Sequence, residues 1–299
     1  MIPVSSLISF YAAVLGGFFI GLILKERVSV ISETLMYVLL YLLLPLIVFK
    51  SLLDEIHVFQ ETFAMYASFY FSGAGLSFLV ALLLFRNIDK RKRCTSVLAS
   101  TLRNAFFIPI SLVIAFGLPE DAIVGVISFT MCYHLFQPFL TMALAMRMHG
   151  TYAQDVLVKG ITFPPLRAAI LGFLLGSLGF NFHLPAFHEV KIGTSYLSLI
   201  YVGLVLSKAP IPSRPDLSII MRVAIIRLLI TPLALFPLYY TKEFPVNVVI
   251  AREIGSPTSV SAVLYAALFG FDDELMAKIV VYVTFAGILV LPARLLFLS

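Results

Sequence analysis

Four side chains that could recognise an anion fall within nine positions of an otherwise apolar stretch, residues 94–117: Thr101, Arg103, Asn104 and, closing the group, Pro109. A guanidinium and an amide donate hydrogen bonds, and a hydroxyl can do either. A proline removes a backbone donor and crowds the carbonyl four residues back. A charge at mid-membrane costs at least about 2.5 kcal/mol, so these residues in such a stretch imply a broken helix beside a cavity. Hydrocarbon tolerates freed backbone only where protein or water lines it. A second stretch repeats the design: Val249-Ile-Ala-Arg252-Glu253-Ile-Gly255-Ser256-Pro257-Thr258-Ser259-Val-Ser261. Two interrupted apolar segments at matching places in two halves of a chain are the sequence sign of a transporter's binding site.

Each group carries more than one reading. Asn104, Thr101 and Pro109 form either a clamp for a carboxylate, assisted by half-helix N-termini, or a kinked helix whose amide bonds a neighbour. Ser256, Pro257, Thr258 and Ser259 support the second break, contact substrate, or, at Ser256 and Ser259, offer oxygen ligands to Na⁺. Arg103 is the candidate for tuning the field of the site. Arg227, at mid-depth, is expected to support the second broken span, with Glu253 as partner, while Arg252 snorkels or pairs with Glu253. Thr130, His134, Gln137 and Thr141 recur at helical spacing and make one polar face. His134 could carry a coupling proton or serve as a packing histidine.

These residues need elements to hold them, and composition says which. Of 299 residues, 61% are hydrophobic and 12% charged, against about 25% charged in soluble domains. The chain reads as an all-α polytopic protein of the lipid bilayer. Ten spans are expected, at about Leu7–Leu24, Glu33–Leu53, Phe63–Phe85, Cys94–Gly117, Ala122–Met146, Ile161–Phe180, Ile192–Leu206, Leu217–Tyr240, Val246–Phe269 and Leu275–Leu298. Basic residues crowd alternate loops, which places both termini outside a cell membrane. The net charge of +5 belongs to those loops and gives no reason to expect nucleic acid. Cys94 and Cys132 read as free thiols. Gly17 and Gly172, Gly117 and Gly270, and Pro138 and Pro292 are separated by 155, 153 and 154 positions. This internal repeat gives two five-helix units, residues 1–147 and 161–299, joined by a cytoplasmic linker at 148–160. An odd number of crossings inverts the second unit. The pairs Gly17–Gly21 and Gly172–Gly176 allow close helix approach.

At this point the motifs resemble a known family. Gly255-Ser-Pro257-Thr-Ser-Val-Ser-Ala, Phe269-Gly-Phe-Asp272-Asp-Glu-Leu275, Ile288-Leu-Val-Leu-Pro292, Thr101-Leu-Arg103-Asn104 and Arg227-Leu-Leu-Ile-Thr-Pro232 are similar to segments of the auxin efflux carrier family. That family includes plant PIN-formed exporters and bacterial malonate-type carriers, and in outline it shares the bile-acid–sodium symporter fold. The resemblance implies a scaffold of spans one, two, six and seven and a mobile transport unit of spans three to five and eight to ten. Spans four and nine would cross at their breaks, with a substrate carboxylate at the crossing. By analogy, a homodimer forms through the scaffold.

The expected function is secondary or facilitated transport of small organic anions by an elevator-like or rocking motion. The alternative is a sodium-coupled symporter of the bile-acid type. A cation–proton exchanger fits less well, since Glu253 has no second acid beside it. Na⁺ or H⁺ coupling stays open. No nucleophile–base pair, metal-ligand spacing or phosphate loop points to an enzyme, and no resident metal or other cofactor is expected.

Overall fold

The computed structural model describes residues 4–105, 107–115, 117–149, 164–207, 211–239, 249–250, 253–259 and 261–298. Helices α1 (Val4–Leu24) and α2 are joined by a 3₁₀ turn, Lys25–Arg27. Helix α2 runs Val28–Asp54, with a π-helical turn at Leu39–Leu43 ahead of Pro45. There follow α3 (Ile56–Leu84), α4 (Lys90–Thr101), α5 (Phe107–Ala115), α6 (Glu120–His149), α7 (Pro164–Ser177) and α8 (Phe187–Leu206). Helix α9 is built from Arg214–Ile225, a π turn at Ile226–Ile230, and Thr231–Tyr239 with Pro232 at its start. The last two are α10 (Ser261–Leu268) and α11 (Asp273–Leu298). In both π turns the wider coil sits directly before a proline, where a regular turn would meet the ring.

Among the described residues, four continuous helices are long and apolar enough to cross a bilayer: Val28–Asp54, Ile56–Leu84, Phe187–Leu206 and Arg214–Leu238. Leu83 and Leu233 are each 68% exposed, and Phe19, Leu79 and Leu289 are exposed as well. A soluble surface rarely carries so many large apolar side chains together; a lipid-facing one does. The protein is a multi-pass membrane protein.

The described helices overlap expected spans, α2 and α3 beginning earlier than their apolar runs, and the expected ninth span lies partly outside the described residues. Helix α3 begins at Ile56, seven residues before the apolar run starts at Phe63. Its first two turns are amphipathic: Ile56 and Phe59 are buried, while His57, Gln60 and Glu61 are exposed. Hydropathy averages such turns to polar and misses them. Of the expected inter-repeat linker at 148–160, residues 148–149 end helix α6 and the rest lies outside the described residues.

Glycines set which helices touch. A Cβ on Gly17 would stand 2.2 Å from the Ile200 carbonyl oxygen, and one on Gly203 would stand 2.1 Å from that of Val14. Helices α1 and α8 therefore pack backbone against backbone. Gly172, facing the Phe49 carbonyl oxygen at 2.8 Å, and Gly176 seat α7 on α2 in the same way. The two Gly-x-x-x-Gly pairs thus make two cross-packed helix pairs.

Two short caps carry the repeat into three dimensions. Gly117 (φ +60°) ends α5 and Gly270 (φ +67°) ends α10. After each, the next residue's N–H bonds a carbonyl five residues back: Leu118 to Val113 at 3.0 Å and Phe271 to Ala266 at 2.9 Å. This is the Schellman-type ending that glycine alone adopts without strain.

On the face that bears the basic loops, Lys92 and Lys278 both bond Asp216, at 3.3 and 3.0 Å, and Glu274 lies 2.7 Å from Lys278. Arg91 donates to the Phe271 carbonyl at 2.9 Å. These contacts tie the start of α4 to the starts of α9 and α11.

Gly203→Ala is expected to lower the thermal unfolding midpoint of the detergent-purified protein sharply or to abolish folded yield. Gly193→Ala in the same helix, with nothing within 4 Å of the added Cβ, is expected to leave the midpoint unchanged or slightly higher. Equal effects of the two would count against a close α1–α8 contact.

Candidate functional site

Both candidate helices are broken, and the breaks touch. Helix α4 ends at Thr101, Leu102 is extended (φ −78°, ψ 119°), and helix resumes at Phe107. In the second stretch residues 253–254 are helical, Gly255 turns, and α10 begins at Ser261. Pro109 falls in the first turn of α5, where its missing N–H is one of those no helix satisfies anyway.

Between the breaks, Arg103 and Thr258 form an isolated antiparallel bridge. Asn104 N–H donates to the Pro257 carbonyl at 2.7 Å, and Ser259 N–H donates to the Leu102 carbonyl at 3.2 Å. The bridged residues are 155 positions apart, the offset already seen between Gly17 and Gly172. Under that offset Asn104 maps to Ser259 and Leu102 to Pro257, so the two hydrogen bonds interchange. The contact is two-fold in its backbone. A further pair agrees: the Ser77 and Thr231 hydroxyls, 154 positions apart, bond at 2.9 Å.

The side chains divide into those used to hold the breaks and those that are not. Thr258 Oγ1 donates to the Ala99 carbonyl at 3.0 Å, satisfying one of the last carbonyls of α4. Thr101 donates back to Val97 at 2.9 Å. Thr130 shares its hydrogen between the carbonyls of Ala105, at 2.7 Å, and Val126, at 2.8 Å, so α6 meets the first break at Thr130. Arg227, on the π turn of α9, donates to the Ser256 carbonyl and lies 3.4 Å from its hydroxyl. The sequence reading names Glu253 as its partner; the hydrogen bonds seen are to Ser256. Glu253 is fully buried and interacts electrostatically with Arg103 and Tyr70.

Arg103 and Asn104 are different. Arg103 is 0% exposed, and none of its three guanidinium nitrogens has a hydrogen-bond partner among the described residues. Its guanidinium lies over the Tyr70 ring, 5.3 Å from the centroid, and against Gly73, where a Cβ would stand 2.8 Å from one nitrogen. The Asn104 amide nitrogen is likewise buried without a partner among the described residues, as is the whole Gln137 amide. Side-chain positions for His134 and all of Arg252 lie outside the described residues. Tyr70 and Gly73 were missed in the sequence because an aromatic and a glycine on an apolar span look like ordinary packing. Thr284 was missed for the same reason.

A gap reaches this cluster. It is about 10 Å³, bounded by Asn104, Tyr201, Val205, Val281 and Thr284, and holds about one water. Tyr201, Val205 and Val281 also line a groove of about 380 Å³ between α2, α8 and α11, which opens toward the basic-loop face.

The comparison with family models decides the class. A model described as membrane transport protein matches residues 4–295. The chain belongs to this family. It is the auxin efflux carrier-like family that the motifs resembled, and the protein is a membrane transporter. A comparison with curated proteins returns no match.

Arg227→Leu removes both contacts to Ser256 and leaves its buried carbonyl without this donor, a cost of about 1–3 kcal/mol. A thermal unfolding midpoint several degrees lower is expected in detergent. An unchanged midpoint would show that the second break is held by other groups.

Proposed function

We propose that this transporter is a secondary carrier of small organic anions, holding a substrate carboxylate where the two broken helices cross. The observation that carries the reading is Arg103. Burying a cation costs several kcal/mol even after relaxation, and buried donors without acceptors add to that. A carboxylate at the crossing offsets both costs at once, because it accepts in a charge-assisted geometry from a guanidinium. The Asn104 amide beside it supplies a further donor.

In this reading the chain has ten spans in two inverted five-helix units. The mirrored caps, the interchanging bonds of the bridge and the constant offset support it. The helices bearing the breaks, with α3, α6, α9 and α11, form the moving unit, and α1, α2, α7 and α8 form the scaffold. Both the cross-packed glycine pairs and the ion pairs linking α4, α9 and α11 support that division. The groove between α2, α8 and α11 then runs along the boundary of the two units and opens on the basic, cytoplasmic side. Alternating access would open the crossing to the other side.

Purified protein in liposomes is expected to give saturable flux of a labelled carboxylate from a panel of mono- and dicarboxylates, with unlabelled substrate competing. Arg103→Met is expected to cut that flux about ten-fold or more, given about 1.5–3 kcal/mol for a charged hydrogen bond. Absence of saturable carboxylate flux in the wild type would overturn the proposal, as would flux indifferent to Arg103→Met.

A further inference from the structure

We infer that Thr284, on α11, is a third substrate-binding side chain, its hydroxyl and the Asn104 amide donating to the two oxygens of one carboxylate. The inference rests on the carrier reading above and deepens it. Asn104 and Thr284 line the same gap at the crossing. Both are buried, and neither the Asn104 amide nitrogen nor the Thr284 hydroxyl has a hydrogen-bond partner among the described residues.

A buried threonine in a helix has an easy way out: its hydroxyl donates to the carbonyl four residues back. Thr95, Thr101, Thr130, Thr141 and Thr194 all do so, at 2.7–3.0 Å. Thr231 donates five residues back across its π turn, and Thr258 donates across the crossing to Ala99. Among the buried threonines described, Thr284 alone has a hydroxyl without a hydrogen-bond partner among the described residues, and it is a residue that lines the gap. A hydroxyl held there has a use that packing does not supply, since valine would fill the same volume at no polar cost.

The repeat sharpens the contrast. Thr284 stands 154 positions after Thr130, the offset that relates the Ser77 and Thr231 pair. Thr130 spends its hydrogen on the carbonyls of Ala105 and Val126. The equivalent hydroxyl in the second half is unspent. Duplicated positions have therefore parted: one secures a break, the other faces the gap beside Asn104. The gap is about 10 Å³ here, so a carboxylate enters as α8, which supplies Tyr201 and Val205, draws away from α11.

The test compares Thr284→Val, which keeps shape and loses the hydroxyl, with Thr284→Ser, which keeps the hydroxyl. Carboxylate flux is measured in liposomes, and carboxylate-induced thermal stabilisation in detergent. Thr284→Val is expected to raise the KM about three- to ten-fold with little change in maximal rate, to weaken the stabilisation in parallel, and to leave the unliganded midpoint unchanged or higher. Thr284→Ser is expected to restore a near wild-type KM. Should the valine variant not fold, Thr284→Ala takes its place with the same expectation. Wild-type flux together with an unchanged KM in the valine or alanine variant overturns the role of Thr284 and leaves the carrier reading standing. No saturable flux in the wild type overturns both, and is distinguished by that control.

Discussion

Everything at the centre of this molecule hangs on two backbone hydrogen bonds between two breaks. A helix that stops inside a membrane exposes carbonyls and N–H groups that hydrocarbon cannot satisfy. Each break here solves that problem with the other. Leu102 and Pro257 offer carbonyls, Asn104 and Ser259 offer N–H groups, and the exchange closes a single antiparallel bridge. The remaining open groups are met by nearby side chains: Ala99 by Thr258, Ala105 by Thr130, Ser256 by Arg227. Neither break would be stable alone, which couples them energetically across 155 positions of chain.

That mutual dependence constrains how the rest can move. A bridge made of backbone ties the two broken helices into one body, and the Lys92–Asp216–Lys278 network ties α9 and α11 to the same body at its basic end. The tight glycine contacts lie elsewhere, between α1 and α8 and between α2 and α7. Such contacts resist sliding because any shift drives backbone into backbone. The groove between α2, α8 and α11 is lined by Ser29, Ser32, Glu33 and Met36 on one side and Val280 and Val281 on the other, with no such backbone-on-backbone contact among the described residues.

Much of this was legible in the sequence, and for a physical reason. Arginine, asparagine and proline in an apolar run are expensive, so their presence marks a place where the membrane rules are suspended; Arg103, Asn104 and Pro257 announced the crossing. Gly17 and Gly172 announced close packing because a span has little other use for paired glycines. What stayed hidden was cheap or distant. Tyr70, Gly73 and Thr284 cost a span little and so carry no signal of their own, although they sit against the most expensive residues in the chain. The amphipathic start of α3 was hidden because averaging erased it. The pairing of Asn104 with Pro257 lies beyond any local pattern, and only the repeat offset, applied to the breaks themselves, would have exposed it.

The symmetry is one of backbone, and the departures from it are in side chains. Arg103 bridges to Thr258, so one half places a guanidinium where the other places a hydroxyl. Gly73 stands 154 positions before Arg227, so α3 leaves the space that α9 fills. The two exchanges are linked: Gly73 is the surface against which Arg103 packs, and a side chain there would strike the guanidinium. In the second half the arginine comes from the supporting helix and bonds Ser256. Among the described residues each half thus brings one guanidinium to the crossing, but by a different route. The second is engaged with the Ser256 carbonyl, while the first reaches no hydrogen-bond acceptor among the described residues. A perfectly repeated pair would have two arginines holding breaks or two packed on a glycine and a ring. The observed arrangement keeps the backbone of the crossing two-fold while its side chains differ, one guanidinium engaged with a carbonyl and the other packed on Gly73 and the Tyr70 ring.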